Sequence, residues 1–483
     1  MNFSVIKRTL GWILLFEAVF FAVPLITAAV YREEEFFSFL FSMLVCAVLG
    51  GACIIGKPKN TSIYAKEGFV IVALCWIVMS LFGALPFVLS GAIPSYINAL
   101  FETVSGFTTT GATVIPTGEA VEAMPRSILM WRSFTHWIGG MGVLVLIIAF
   151  LPLSGARNLH IMKAESPGPV VSKLVPRVRT TAMILYLIYA GFTFAEFILL
   201  LCGGMPVFDS LNTAFATAGT GGFSIKADGF NGYSAYVQIV VTLFMLLFSI
   251  NFNSYYLLGK GKWKEAFTTE VKVFLVIVAM AIIGITLNLH FTDTQMLSGG
   301  GALKHAAFSV ASIVSTTGFA TENFAVWPAL SQSILVLLMF VGACAGSTGG
   351  GIKVSRIVIL GKTAYVEVGK MLNPKRIKHV TMDKKVVDGE VVRSVCGYIV
   401  AYIFIFVASL LIISLDGKDF ATNFTSVTAT LNNIGPGLGE VGPVGSFADF
   451  SWWSKLVYIF DMLAGRLEIF PMLLLFAAST WKK

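Results

Sequence analysis

Charge is scarce in this sequence. Of 483 residues only 12% are Asp, Glu, Lys or Arg, about half the roughly 25% usual in a soluble domain. So few charges cannot wet a whole surface, which excludes a cytosolic globular enzyme and a disordered chain. The 34 Lys and Arg exceed the 26 Asp and Glu by only 8, and no basic stripe is dense enough to track a phosphate backbone, so nucleic-acid binding is excluded as well. The six cysteines form no C-x-x-C pair, and the five histidines are scattered along the chain. A disulfide framework and a zinc site are therefore unsupported. No H-E-x-x-H or paired-acid motif is present, and an intramembrane enzyme is not expected.

What is present in quantity is apolar sequence: 56% of residues are hydrophobic and the mean hydropathy is +0.83. A helix crossing the hydrocarbon needs about 20 mainly apolar residues. Ten stretches qualify: 10–31, 36–55, 69–90, 127–152, 181–203, 236–258, 271–290, 331–360, 394–415 and 454–481. The fold expected is an all-α integral membrane protein with ten transmembrane helices. With the N-terminus in the cytoplasm and the segments alternating, 26 of the 34 basic residues fall on the cytoplasmic side and 5 outside. That asymmetry satisfies the positive-inside rule and places both termini in the cytoplasm.

Four external segments share one pattern, a short, mildly polar helix-like run followed by a glycine turn. They are FETVSGFTTTGA from Phe101, LNTAFATAGTGG from Leu211, FSVASIVSTTGF from Phe308 and TSVTATLNNIGP from Thr425. Aligned on a common glycine they give Gly111, Gly221, Gly318 and Gly435. Each segment is too short and polar to span, and each lies between two spans. The unit is therefore span, half-helix, loop and span, repeated four times in pseudo-fourfold array after two extra N-terminal spans. The domains expected are 1–66 (the N-terminal pair), then pore repeats 67–155, 156–262, 263–385 and 386–483.

Irregular backbone at membrane depth is tolerated only inside protein or beside water. Four re-entrant loops around one axis can offer rings of backbone carbonyls, which replace the hydration shell of a monovalent cation. Each half-helix also aims its negative C-terminal end at that axis. The expected potassium-binding filter residues are Thr109, Thr110 and Gly111; Gly219, Thr220 and Gly221; Thr316, Thr317 and Gly318; and Asn433, Ile434 and Gly435. None of the loops carries the TVGYG of potassium channels, which predicts fewer ion sites and moderate discrimination against sodium.

Two features lie inside the spans. The run GACAGSTGGGIK contains Gly342, Gly346, Ser347, Thr348, Gly349, Gly350, Gly351 and Lys353. Each glycine costs a helix interior about 1 kcal/mol relative to alanine, so three in a row should break the helix and leave a flexible loop below the filter, a gate. The run is no P-loop, because Ile352 stands where that motif needs lysine, and no nucleotide or other cofactor is expected on this chain. The second feature is Arg466, inside the last span. A mid-membrane Arg costs about 2.5–3.5 kcal/mol on insertion scales, so it should face the pore and act with the glycine loop. Arg132, in the outer half of its span, reads as a packing or snorkelling residue.

The segments SGFTTTGAT (105–113), WIGGMGVLVL (137–146), GACAGSTGGGIKV (342–354), ATLNNIGPGLG (429–439) and MLAGRLEIF (462–470) carry a family resemblance. The whole chain resembles the Trk/Ktr/HKT superfamily of potassium transporters, and the extra N-terminal spans point to its bacterial TrkH/TrkG subunits. The resemblance implies potassium uptake across the bacterial inner membrane and a homodimer with one pore per chain. It also implies a gating loop and basic residue at the positions above, and regulation by a cytoplasmic nucleotide-binding ring of the TrkA type. Symport of potassium with protons or sodium remains the alternative function.

Overall fold

The structure, a computed structural model, describes residues 1–55, 65–116, 120–142, 178–292, 300–373 and 378–481. The expected span 127–152 beyond residue 142 and the boundary at 155 lie outside these. So do Lys57, Lys59, Arg157, Lys163, Lys173, Arg177, Lys375, Arg376, Lys482 and Lys483.

Nearly all the described chain that is regular is helical, as hydrocarbon requires of backbone with no water to bond. Six helices are long and apolar enough to cross a membrane: Phe3–Tyr31, Phe36–Ile54, Lys66–Leu89, Arg179–Cys202, Thr269–Phe291 and Gly389–Asp416. They match six of the ten expected spans, and the protein is a multi-pass membrane protein. The other four are not continuous helices. Arg126–Gly140 ends at Met141. Ala235–Ser249 meets Phe252–Gly259 at 93°. Ala329–Val341 and Val354–Leu372 are separated by the glycine loop. Trp452–Arg466 gives way to Phe470–Phe476. These are the four helices that follow the glycine turns, the inner helices of their units. Hydropathy cannot reveal the breaks, because an apolar loop buried in protein has the composition of an apolar helix.

Between paired long helices lie four short ones, Tyr96–Phe107, Val207–Gly219, Gly300–Val314 and Phe420–Leu431. Their polar side chains largely bond back to their own helix. Thr103, Thr217 and Thr430, for example, donate to carbonyls four residues earlier. That satisfies hydroxyls in a buried setting. The N-terminal helices pack on the first of these units through aromatic rings, with Phe21 4.6 Å and Phe107 5.8 Å from Trp131. The Trp131 indole donates to the Gly83 carbonyl at 3.0 Å. A two-stranded hairpin, Thr381–Met382 with Lys385–Val386, is the one sheet among the described residues. Its turn residue Asp383 accepts from the Thr269 amide at 2.6 Å, capping the helix Thr269–Phe291.

Candidate ion pathway and its family

The four half-helices end in the same way. In each, a residue takes the left-handed conformation: Thr109 (φ 56), Thr220 (φ 54), Thr316 (φ 61) and Asn433 (φ 55). The next residue's amide bonds to the carbonyl five positions back at 2.9 Å: Thr110 to Ser105, Gly221 to Ala216, Thr317 to Ser312 and Ile434 to Ala429. The left-handed residue bonds three back. This is the Schellman closure of a helix end. It is built here on β-branched threonine three times, at a cost of about 1–2 kcal/mol each relative to right-handed backbone. Strain of this kind collects at functional sites.

Two residues after each left-handed residue stands a glycine with positive φ: Gly111, Gly222, Gly318 and Gly435. A Cβ on Gly111 would meet the carbonyl oxygen of Gly221, and one on Gly222 that of Thr317. On Gly318 it would meet Ile434, and on Gly435 Thr110. Each loop presses its glycine on the middle carbonyl of the next, and the fourth returns to the first. The four loops form a closed ring, and all four glycines line one cavity of about 310 Å³. Side chains tie the ring as well, since Asn433 Nδ2 donates to Thr110 Oγ1 at 2.9 Å.

The ring corrects the second loop by one residue. Gly219 is the last residue of its half-helix, and the residues matching Thr109, Thr110 and Gly111 are Thr220, Gly221 and Gly222. A sequence signal existed. Thr or Asn stands two before the glycine in TTG, TTG and NIG, which in the second loop rules out Gly221 and leaves TAG at 217–219 and TGG at 220–222.

Directly under the ring lies the glycine loop. Gly350 N donates to Thr316 Oγ1 at 2.6 Å and Gly351 N to the Asn432 carbonyl at 3.0 Å. A Cβ on Gly349 would meet the Ser315 carbonyl, and one on Gly350 that of Asn432. The glycines thus let the loop press on the ends of the third and fourth half-helices. Gly342, Gly346, Gly351 and Lys353 have positive φ. Ser347 closes a local turn onto the Cys344 carbonyl at 2.6 Å, and Thr348 Oγ1 donates to Phe248 at 3.1 Å. The buried Lys353 ammonium donates to the Gly349 carbonyl.

Arg466 reaches this loop. Its guanidinium donates to Thr348 O at 2.8 Å, to Gly140 O at 2.6 Å and to Gly139 O. It thereby joins the broken end of the last inner helix to that of the first and to the loop between them. Glu468 pairs with Arg356, whose guanidinium also stacks on Tyr398 at 4.0 Å. At the break itself Ile469 sits at φ 68 and ψ −57, with Phe470 N bonded to Glu468 O at 2.7 Å, a γ-turn of the strained hand.

Residues 35–483 match the TrkH family, described as cation transport protein. The chain belongs to the TrkH family. It is 34% identical to the Trk system potassium uptake protein TrkH of Escherichia coli K12, over the whole of both chains. It is 32% identical to that organism's Trk system potassium uptake protein TrkG, covering 99% of this chain and 98% of TrkG. The crystal structure of the potassium transporter TrkH from Vibrio parahaemolyticus superposes with a TM-score of 0.88 at 32% identity, over all of both chains.

Four residues of this TrkH-family chain that sequence reasoning did not select as site residues, Glu270, Glu102, Arg132 and His136, tie these loops to their surroundings. Glu270 accepts from Ala345 N at 2.7 Å and Ser355 N at 3.0 Å, clamping the two ends of the glycine loop. Arg132 does not snorkel. It is buried and pairs with Glu102 at 2.8 Å. His136, one turn further on, bridges Gly106 O at 2.7 Å and Phe223 N at 3.3 Å. The only sequence signal for Glu102 and Arg132 was two opposite charges in a chain that has few.

Proposed function

We propose that this chain takes potassium into the bacterial cell through a gated, carbonyl-lined pore built by one polypeptide. The observation that carries the reading is the closed ring of four loops with one backbone conformation. A ring of oxygens around an axis suits a cation that must shed its water. In this reading the chain crosses the inner membrane ten times. Four span, half-helix, loop and span repeats follow an N-terminal pair, and both termini are cytoplasmic. The backbone oxygens of Thr109–Gly111, Thr220–Gly222, Thr316–Gly318 and Asn433–Gly435 coordinate potassium, and Gly219 falls outside the set. The glycine loop and Arg466 close the path beneath them. The chain works as a homodimer regulated by a cytoplasmic nucleotide-binding ring of the TrkA type. The full-length relatives named for potassium uptake support the choice of ion. Four loops of one direction around an axis favour conduction over the inverted repeats of alternating access, and hence over proton- or sodium-coupled symport.

Expression in a potassium-uptake-deficient bacterium tests this. The chain should restore growth at low potassium, and Gly222→Ser and Gly318→Ser should each admit sodium. No rescue, or mutants with unaltered selectivity, would overturn the assignment. Uptake driven by a proton gradient at fixed membrane potential would favour symport.

A further inference from the structure

The ring needs support from behind, because carbonyls that coordinate a cation repel one another. The first loop has a charged support. Glu102, in the half-helix Tyr96–Phe107, is 1% exposed. Its carboxylate accepts from Thr113 Oγ1 at 3.0 Å and from Val114 N at 3.0 Å, both just past the first filter loop, and from Arg132 Nε at 2.8 Å. The Arg132 guanidinium reaches the second loop. Nη1 donates to Ser224 O at 3.4 Å, and the plane stacks on the Phe223 ring at 4.1 Å. His136, four residues on and thus on the same helix face, makes the second crossing. Nε2 accepts from Phe223 N, so Nδ1 carries the proton given to Gly106 O.

The fourth loop has a neutral counterpart at the same register. Glu102 stands seven residues before Thr109, and Ser426 seven before Asn433. Arg132 stands seven before Gly139, and Tyr458 seven before Gly465. Those two glycines press on equivalent half-helix carbonyls, Phe107 and Leu431. Tyr458 donates to Ser426 at 2.8 Å. The bridge is therefore a built position of the fold, and in the first unit alone of this pair it is ionic.

We propose that the Glu102–Arg132 pair, with His136, is a brace that fixes the distance between the first and second filter loops and thereby sets the preference for potassium over sodium. These are positioning residues, since none touches the ion. A buried ion pair contributes little net stability against an apolar pair, and its best-attested use is to specify one geometry. The inference rests on the potassium-pore reading given above.

Initial rates of potassium and sodium uptake, measured in a potassium-uptake-deficient bacterium expressing the full chain, test it. The amount of chain in the membrane fraction is measured alongside. Glu102→Gln weakens the hub. Thr113→Val keeps both charges paired and removes one hydroxyl, so it bears the test if Glu102→Gln fails to reach the membrane. Each variant is expected to lower the potassium-to-sodium rate ratio by about fivefold, the scale of one lost hydrogen bond. A merely structural role would lower both rates together with the amount of protein and leave the ratio alone. An unchanged ratio in Thr113→Val, with the parent selective, overturns the brace and leaves the pore reading standing. A parent without selective potassium uptake overturns both.

Discussion

At the scale of single residues, Arg466 shows how a costly group is kept in a membrane. Its guanidinium finds carbonyls that helix breaks have freed, at Gly139 and Gly140 and at Thr348. Hydrogen bonds to a charged donor contribute about 1.5–3 kcal/mol each. Removing all three should release the glycine loop from the inner-helix ends. Arg466→Ala is therefore expected to raise potassium flux through the reconstituted protein by roughly tenfold or more. Arg466→Lys should fall between, because one ammonium cannot span three acceptors as a planar fork does. Unchanged flux in Arg466→Ala would remove this residue from the gate.

The glycine loop illustrates the scale of the element. It has no regular structure between Val341 and Val354, yet Cys344 and Thr348 are fully buried. Buried irregular backbone must find partners elsewhere. It finds them in Thr316, in Asn432 and in the Glu270 carboxylate at both of its ends. Thr316 and Asn432 lie at the ends of the third and fourth half-helices, so movement of this loop bears on the proposed filter. Glu270→Ala should leave the loop glycines in place and free the ends. The expected result is faster hydrogen exchange over 343–351 and a higher resting flux. Exchange matching the parent would mean that the loop is held by its contacts to Thr316 and Asn432 alone.

For the whole molecule, the bias of basic residues predicts an orientation with both termini cytoplasmic. In it Cys202, exposed at the end of Arg179–Cys202, faces outward. Cys46, Cys75 and Cys344 are buried. An impermeant thiol reagent applied to spheroplasts should label the chain, and Cys202→Ser should abolish the labelling. Labelling that persists in the variant would reverse or redraw the topology. The four loops share a conformation but differ in sequence, TTG, TGG, TTG and NIG, and only one unit of the Glu102-type pair carries charge. A ring of unequal quarters fits moderate rather than strict ion discrimination.

The sequence alone determined the solvent, the helical class, ten apolar segments of which six are continuous helices, and the position of four half-helices. Hydrocarbon imposes length and polarity on each segment separately, and such constraints are local in the chain. The shared Thr/Asn-x-Gly turns were legible for the same reason, although the loop with three nearby glycines was placed one residue too early. Only the tertiary structure decided which glycine meets which carbonyl, because glycine is required at 222 by the carbonyl of Thr317, 95 residues away, which any Cβ there would meet. It also decided where the inner helices break and that Arg132 is paired rather than snorkelling. The partners of Arg466 came from it too, 118 to 327 residues distant. Backbone dihedrals and contacts between distant segments leave little trace in hydropathy, since a buried loop, a buried ion pair and a buried helix all sit in apolar sequence.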